Sequence, residues 1–96
     1  MADPVIVEAV RTPIGKRGGS LSGVIAPKLL AVAQQEVIRR AGVSPSEVDQ
    51  LVGGCVTQGG QQASNVTRNA WLTSGVDFSP AATTIDCQCG SGAQAN

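Results

Sequence analysis

Residues 83–93 combine a cysteine with small, flexible neighbours in a way that could support nucleophilic chemistry. Their sequence is TTIDCQCGSGA, in which a β-branched run leads to Cys89 and then to two glycines. This pattern predicts a strand, a sharp turn and a helix, with Cys89 at the corner. A thiol at a helix start faces unpaired N–H groups, which favour the nucleophilic thiolate. We therefore interpret Cys89 as a candidate acyl-accepting nucleophile; a buried, inert cysteine before a helix cap is the alternative.

Three predicted strands position this corner. Residues 4–10 are a nearly continuous apolar run, residues 51–56 form a second one that Gly53 and Gly54 should weaken, and residues 81–87 lead into the turn. Short apolar runs of this kind are typical of the buried strands of parallel sheets.

Helices are predicted between these strands. Apolar positions recur at three- and four-residue steps over residues 27–41, and Gly42 offers a left-handed stop. A capping-box pattern at residues 44–47 predicts one short turn. A second helix is predicted from an Asn65 cap to Ser74, with Val66, Ala70 and either Trp71 or Leu72 facing inward.

The resulting order, β-α-β-α-β and the start of a third helix, predicts the α/β class with parallel strands and right-handed crossovers. A parallel sheet needs both faces covered, and two helices with the start of a third cover three strands poorly. We therefore expect residues 1–96 to be part of a larger fold.

Motifs at both ends of the chain resemble those of the thiolase family. The sequence PVIVEAVRTPIGK at residues 4–16 is similar to the strand and turn that open thiolases, and CGSG at residues 89–92 resembles their nucleophile motif. Between them, a comparable loop is matched by residues 53–60 and by Gln62, Asn65 and Arg68. The resemblance implies the five-layered α-β-α-β-α thiolase fold. It makes residues 1–96 a partial N-terminal domain, with the rest of that domain and the C-terminal domain outside this chain.

The resemblance also implies an activity. Thiolases are acyltransferases of lipid metabolism, including β-oxidation, and cleave 3-oxoacyl-CoA with coenzyme A or run the reverse condensation. Cys89 would hold the acyl group as a thioester, and its backbone N–H would be an oxyanion donor. Coenzyme A and acyl-CoA enter as substrates, with no cofactor or metal implied and no cofactor-binding residues assigned. Since the 96 residues contain no histidine, the family's histidine base and second catalytic cysteine would lie beyond Asn96.

The residues just before Cys89 depart from the usual family pattern, which has Asn at position 86 and an apolar residue at position 88. Asp86-Cys87-Gln88-Cys89 resembles a subset of actinobacterial thiolases linked to steroid side-chain degradation, so steroid and fatty acyl substrates both stay open. A carboxylate at Asp86 would disfavour the thiolate if it faced the sulfur. Binding to the backbone or to a loop is the other arrangement.

The remaining candidate residues have structural alternatives. Cys87 could belong to a Cys-x-Cys metal or redox site, but zinc requires four ligands and only Cys55 could join, so a small strand residue is the simpler interpretation. Cys55 is expected in the core. Arg11 and Lys16 could bind the phosphates of coenzyme A or anchor the turn after the first strand.

Composition narrows the partners and the compartment. Seven basic and seven acidic residues cancel, which argues against nucleic acid and anionic membrane surfaces as partners. Three cysteines without a signal peptide predict a cytoplasmic protein with free thiols.

Assembly is predicted from the strand at residues 81–87. It contains no Lys or Pro to protect an exposed edge, and the resemblance implies association through this region, so we expect a homodimer or a dimer of dimers. A non-catalytic fragment that serves as a structural half of an assembly is the alternative function.

Overall fold

Two parallel strands, β1 (Gln50–Gly54) and β2 (Ala81–Ile85), form the sheet of this α/β fold. The computed structural model describes residues 2–75 and 77–96. The helices are α1 (Ala26–Ala41), α2 (Val66–Ser74) and α3 (Ser91–Ala95), and single 3-10 turns occupy Pro45–Glu47 and Gly60–Gln62. The predicted second and third strands are therefore confirmed, although the second begins one residue earlier and both end two residues earlier than predicted. Both predicted helices and the short turn are confirmed as well.

The register of the sheet brings the end of β1 next to the end of β2. Gln50 pairs with Ala81, and the pairing continues to Gly54 and Ile85. The N–H of Cys55 then donates to the carbonyl of Ile85 at 2.9 Å. The sheet thus extends to the residue immediately before the turn that carries Cys89.

The predicted strand at residues 4–10 is wrong. These residues lie outside any strand, and the side chains of Val5, Ile6 and Val7 are largely exposed. An apolar run becomes a strand only where a neighbouring strand accepts its backbone hydrogen bonds. Within the described ranges, β1 and β2 pair only with each other, so the three-stranded order is corrected to a two-stranded sheet.

Helix α1 starts and stops largely as its sequence predicts. Pro27 lies in its first turn, and Gly42 ends it in the left-handed conformation with φ of 72°. Its N-terminus has a further partner, because the side-chain oxygen of Gln61 accepts a hydrogen bond from the N–H of Ala26 at 3.0 Å. The Gly/Gln loop is thereby fastened to the start of α1.

Helix α2 provides most of the buried core. Its cap, Asn65, accepts a hydrogen bond from the N–H of Arg68 at 3.3 Å, and Gly75 ends it with φ of 68°. Of the two candidates for the last inward position, Trp71 is 1% exposed and Leu72 is 36% exposed. The buried side chains of the helix are Val66, Thr67, Ala70 and Trp71.

Two adjacent glycines in β1 allow helices to approach both faces of the sheet. Consecutive strand residues point to opposite faces. A Cβ at Gly53 would overlap the side chain of Thr67 in α2, and a Cβ at Gly54 would overlap the backbone of Ser91 in α3. Strand propensity predicts only that these glycines weaken β1, but the packing of both helices requires them.

We predict that Gly53→Ala lowers the free energy of unfolding of the protein by about 1–3 kcal/mol, because the added methyl group has no room beside Thr67. The measurement is denaturant unfolding. Gly59→Ala is the matched control, since a Cβ there meets nothing within 4 Å and the φ of −134° suits any residue. Equal losses in the two variants would contradict this account of Gly53.

Candidate active site

Cys89 lies on a turn between β2 and α3, as the sequence pattern predicts. Its side chain is exposed, and α3 begins two residues later at Ser91 with Gly90 as its cap. Cys87 is also exposed, and because β2 ends at Ile85 it belongs to the turn. The interpretation of Cys87 as a strand residue is therefore wrong: the backbone turns before this position is reached.

The turn holds a sparsely populated backbone conformation directly before Cys89. Gln88 has φ of 53°, in the left-handed region that side chains other than glycine rarely adopt. Two backbone hydrogen bonds close the turn, from the N–H of Gly90 to the carbonyl of Cys87 at 3.1 Å and from the N–H of Ser91 to the carbonyl of Gln88 at 3.0 Å. Such conformations persist where surrounding contacts over-determine them, and they concentrate at functional sites.

Two side chains reinforce the turn. The carboxylate of Asp86 accepts a hydrogen bond from the N–H of Gln88 at 2.9 Å. The hydroxyl of Ser91 accepts one from the N–H of Cys87 at 2.8 Å and donates one to the carbonyl of Gln88 at 2.7 Å. Of the two arrangements open for Asp86, the structure has the one in which the carboxylate binds backbone.

These contacts account for almost every backbone N–H of the turn. The N–H groups of residues 87, 88, 90 and 91 all have acceptors. Among the hydrogen bonds of residues 2–75 and 77–96, none is donated by the N–H of Cys89. The nucleophile candidate therefore also carries the N–H that stays available to a further acceptor.

Cys55 occupies a different environment, on the side of the sheet that faces α1. Its thiol is half-buried, donates to the carbonyl of Thr57 at 3.4 Å and accepts from the side-chain amide of Gln62 at 3.3 Å. It lines a cavity of about 460 Å³ that does not include Cys89. The cavity is lined by Arg11, Thr12, Ala26, Leu29, Leu30, Ala33, Gly54, Cys55, Gln62 and Val66.

The two basic candidates near the N-terminus lie apart from Cys89. Arg11 lines the cavity beside Cys55, and its guanidinium donates to the carbonyl of Thr12 at 3.3 Å. The carbonyl of Lys16 accepts from the N–H of Gly19 at 2.9 Å in a tight turn, and both basic side chains are exposed. The structure therefore does not bring either residue together with Cys89.

Asn65 and Arg68 hold the strand that leads to Cys89, in agreement with their prediction as a helix cap and an anchor. The guanidinium of Arg68 donates to the carbonyls of Pro80 at 2.6 Å and Phe78 at 3.0 Å, just before β2 begins. The amide of Asn65 donates to the carbonyl of Ala82 at 2.9 Å. These hydrogen bonds fix the position of β2 along its own axis relative to α2.

A small hydroxyl network completes this attachment, and the sequence interpretation missed it. The hydroxyls of Thr67 and Thr84 lie 2.7 Å apart, and that of Thr84 donates to the side-chain oxygen of Asn65 at 2.7 Å. Thr84, which pairs with Gly53 in the sheet, could have indicated this network. A hydroxyl at an inward position of a strand needs a second polar group as its hydrogen-bond partner.

The described part of the chain contains neither a metal-binding cluster nor a membrane-spanning helix. No group of three or more His, Cys, Asp or Glu side chains there could hold a metal ion. No helix found in residues 2–75 or 77–96 has the length and apolar character needed to cross a bilayer.

The family model and the relatives that match this chain all point to one protein family. Residues 4–96 match the model of the thiolase N-terminal domain. The chain is 40% identical over 95 residues to the steroid 3-ketoacyl-CoA thiolase FadA6 of Mycobacterium tuberculosis, covering 99% of this chain and 23% of that protein. It is 42% identical over 95 residues to an acetyl-CoA acetyltransferase of Cupriavidus necator, covering 99% and 24%.

The structural comparison agrees. The crystal structure of the Bacillus anthracis acetyl-CoA acetyltransferase superposes with a TM-score of 0.85 at 41% identity, over 94% of this chain and 23% of that one. The chain thus spans about a quarter of the length of the relatives it matches. Because the family model matches residues 4–96 and the structure superposes on a family member over 94% of its length, this chain belongs to the thiolase family, in the region of its N-terminal domain.

Proposed function

We propose that residues 1–96 act within a longer thiolase polypeptide, as a partial N-terminal domain that bears the nucleophile Cys89. The observation that carries this proposal is the exposed thiol of Cys89 on a strained turn, together with a backbone N–H that donates to no acceptor among residues 2–75 and 77–96. A nucleophile and an oxyanion donor on one residue suit acyl transfer, because both must reach the same carbonyl group.

The reaction is thiolysis of 3-oxoacyl-CoA. The Cys89 thiolate attacks the 3-oxo carbon, the carbon–sulfur bond forms, and the N–H of Cys89 donates to the developing oxyanion. Cleavage between carbons 2 and 3 leaves an acyl-cysteine and an acetyl-CoA carbanion, which takes a proton from an acid group. The thiolate of coenzyme A then attacks the thioester, releases Cys89 and forms an acyl-CoA two carbons shorter. Coenzyme A is a co-substrate here, and the scheme requires no resident cofactor.

Other parts of the polypeptide must complete this site. The 96 residues contain no histidine, so the base that activates Cys89 and the acid that protonates the acetyl-CoA carbanion come from elsewhere in the fold. Exposed apolar side chains support a larger assembly, because Val5, Ile6 and Val7 lie together on one uncovered segment. A non-catalytic fragment would share that surface, but it would not need the strained turn at Gln88.

Sequence identity alone does not show which acyl group the substrate carries. A steroid thiolase and an acetyl-CoA acetyltransferase are 40% and 42% identical to this chain. We therefore propose 3-oxoacyl-CoA thioesters as the class, with steroid side-chain and straight-chain substrates as the two arms of the assay. A reducing cytoplasm is the proposed compartment, since Cys55, Cys87 and Cys89 are all free thiols.

We predict that Cys89→Ser in the complete polypeptide lowers thiolysis by at least about a thousandfold, because a hydroxyl is far less ionised than a thiol. Cys55→Ala and Cys87→Ala are the matched controls and retain a covalent acyl adduct after incubation with acyl-CoA. The measurement is peptide mapping of the adduct by mass spectrometry. An adduct on Cys87 in place of Cys89 would overturn the assignment.

We also propose that the protein assembles as a homodimer, or as a dimer of dimers, through β2. In the described ranges β2 is paired on one side only. The carbonyl of Ile85 faces β1, and backbone groups alternate in direction along a strand, so those of Ala82 and Thr84 point away from β1. The carbonyl of Ala82 accepts from the side chain of Asn65, which leaves the N–H of Ala82 and the backbone groups of Thr84 to form the edge. Such an edge can pair with a two-fold copy of itself.

We expect Ala82→Pro to dissociate this dimer, because proline removes an N–H on the open edge while the ladder to β1 is kept. The measurement is the molecular mass in solution by sedimentation. A wild-type enzyme that is monomeric while fully active would contradict the proposed interface.

A further inference from the structure

Ser91 is buried beneath the turn, whereas the nucleophile candidate two residues before it is exposed. Ser91 is 4% exposed, and its neighbours in the chain are Gly90 and Gly92. A buried hydroxyl must be hydrogen-bonded to be tolerated. The partners of this hydroxyl therefore indicate what the residue does.

All hydrogen bonds of Ser91 to the turn end on the two residues before Cys89. Its hydroxyl accepts from the N–H of Cys87 at 2.8 Å and donates to the carbonyl of Gln88 at 2.7 Å. Its own N–H donates to the same carbonyl at 3.0 Å. The carbonyl of Gln88 is thus held by two hydrogen bonds from one residue.

That carbonyl belongs to the same peptide unit as the N–H of Cys89. A trans peptide unit is planar, and its C=O and N–H point in opposite directions. Fixing the carbonyl of Gln88 toward Ser91 therefore turns the N–H of Cys89 away from the protein interior. This orientation explains why the N–H of Cys89 donates no hydrogen bond within the described residues while its neighbours do.

Ser91 is in turn fixed to the sheet. Its backbone carbonyl lies so close to Gly54 that a Cβ there would overlap it. The position of the Cys89 peptide is consequently set by a chain of contacts from β1 through Ser91 to Gln88. A turn with φ of 53° at Gln88 needs such an external constraint, since it would otherwise relax.

We propose that Ser91 is a positioning residue that aims the oxyanion donor of Cys89 through the peptide unit between Gln88 and Cys89. The role in acyl transfer rests on the proposed function, whereas the orientation of the turn does not. Without the hydroxyl, the N–H of Cys87 loses its acceptor and the peptide unit loses one of its two restraints, so the Cys89 N–H and thiol no longer point at one carbonyl group.

The test compares Ser91→Ala with Ser91→Thr, which keeps the hydroxyl, in the complete polypeptide. We expect Ser91→Ala to lower kcat about 10- to 100-fold with KM changed by less than about threefold. The reason is that the weakened interaction, from the N–H of Cys89 to the oxyanion, forms in the transition state. Ser91→Thr should recover most of the loss. The measurements are steady-state thiolysis at a temperature well below unfolding and the unfolding temperature itself.

Ser74→Ala is the matched control for stability. Like the hydroxyl of Ser91, that of Ser74 donates to a backbone carbonyl three residues earlier, here Trp71 at 2.6 Å, but it does so in the last turn of α2. We expect Ser74→Ala to change stability while kcat stays within about twofold of wild type. A Ser91→Ala variant with wild-type kcat, or a loss in kcat matched by Ser74→Ala, would overturn the proposal.

A second measurement separates failure of this proposal from failure of the proposed function. If the wild type cleaves no 3-oxoacyl-CoA, the proposed function is wrong, and alkylation by iodoacetamide with peptide mapping decides on Ser91 alone. We then expect Ser91→Ala to lower the ratio of Cys89 to Cys55 alkylation about tenfold, because the thiol direction follows the same peptide unit. An unchanged ratio would overturn the positioning role.

Discussion

The close approach of two helices to β1 is the constraint on which the rest of the structure depends. Gly53 admits Thr67 on one face of the strand, and Gly54 admits Ser91 on the other. A Cβ at either position would overlap atoms of the helix packed there, so the helix could not keep this distance from the strand. Since α2 carries the residues that hold β2 and α3 carries the residue that holds the turn, both attachments of Cys89 depend on these two glycines.

The site is assembled from backbone geometry more than from side-chain chemistry. Cys89 contributes a thiol and an N–H, while Asp86 and Ser91 bind the backbone of the residues between them. In the part of the chain that the structure describes, the N–H of Cys89 has no acceptor. Preorganised backbone donors are effective in acyl transfer because they need no rearrangement as charge develops on the oxygen. The strain at Gln88 is the cost of this arrangement, and the buried hydrogen bonds of Ser91 offset it.

The polar network around Asn65 has the corresponding role for the strand. Asn65 caps α2, binds the carbonyl of Ala82 and accepts from Thr84, so one side chain joins the helix start to the strand. Such a network is favourable when its members are satisfied, as those hydrogen bonds are. The elements that this network joins belong to the chain that superposes on the Bacillus anthracis acetyltransferase with a TM-score of 0.85, in agreement with the family assignment.

Local signals in the sequence determined the helices, the corner and the family. Pro27 and Gly42 delimit α1, Asn65 and Gly75 delimit α2, and these residues act through conformations and hydrogen bonds that are local in the chain. The β-branched run before CGSG likewise produced a strand and a turn at the expected place. These features needed no knowledge of distant contacts.

Tertiary structure alone decided what lies beside each element. Residues 4–10 are apolar enough for a strand, yet they form none, because a strand exists only through hydrogen bonds to a neighbour, and in the described ranges neither β1 nor β2 pairs with them. Strand propensity alone predicts that Gly53 and Gly54 weaken β1, and only the packed helices show why a Cβ is excluded at both positions. The orientation of the Cys89 N–H was equally invisible in the sequence, since it follows from the burial of Ser91 against β1 and from the planarity of a single peptide unit.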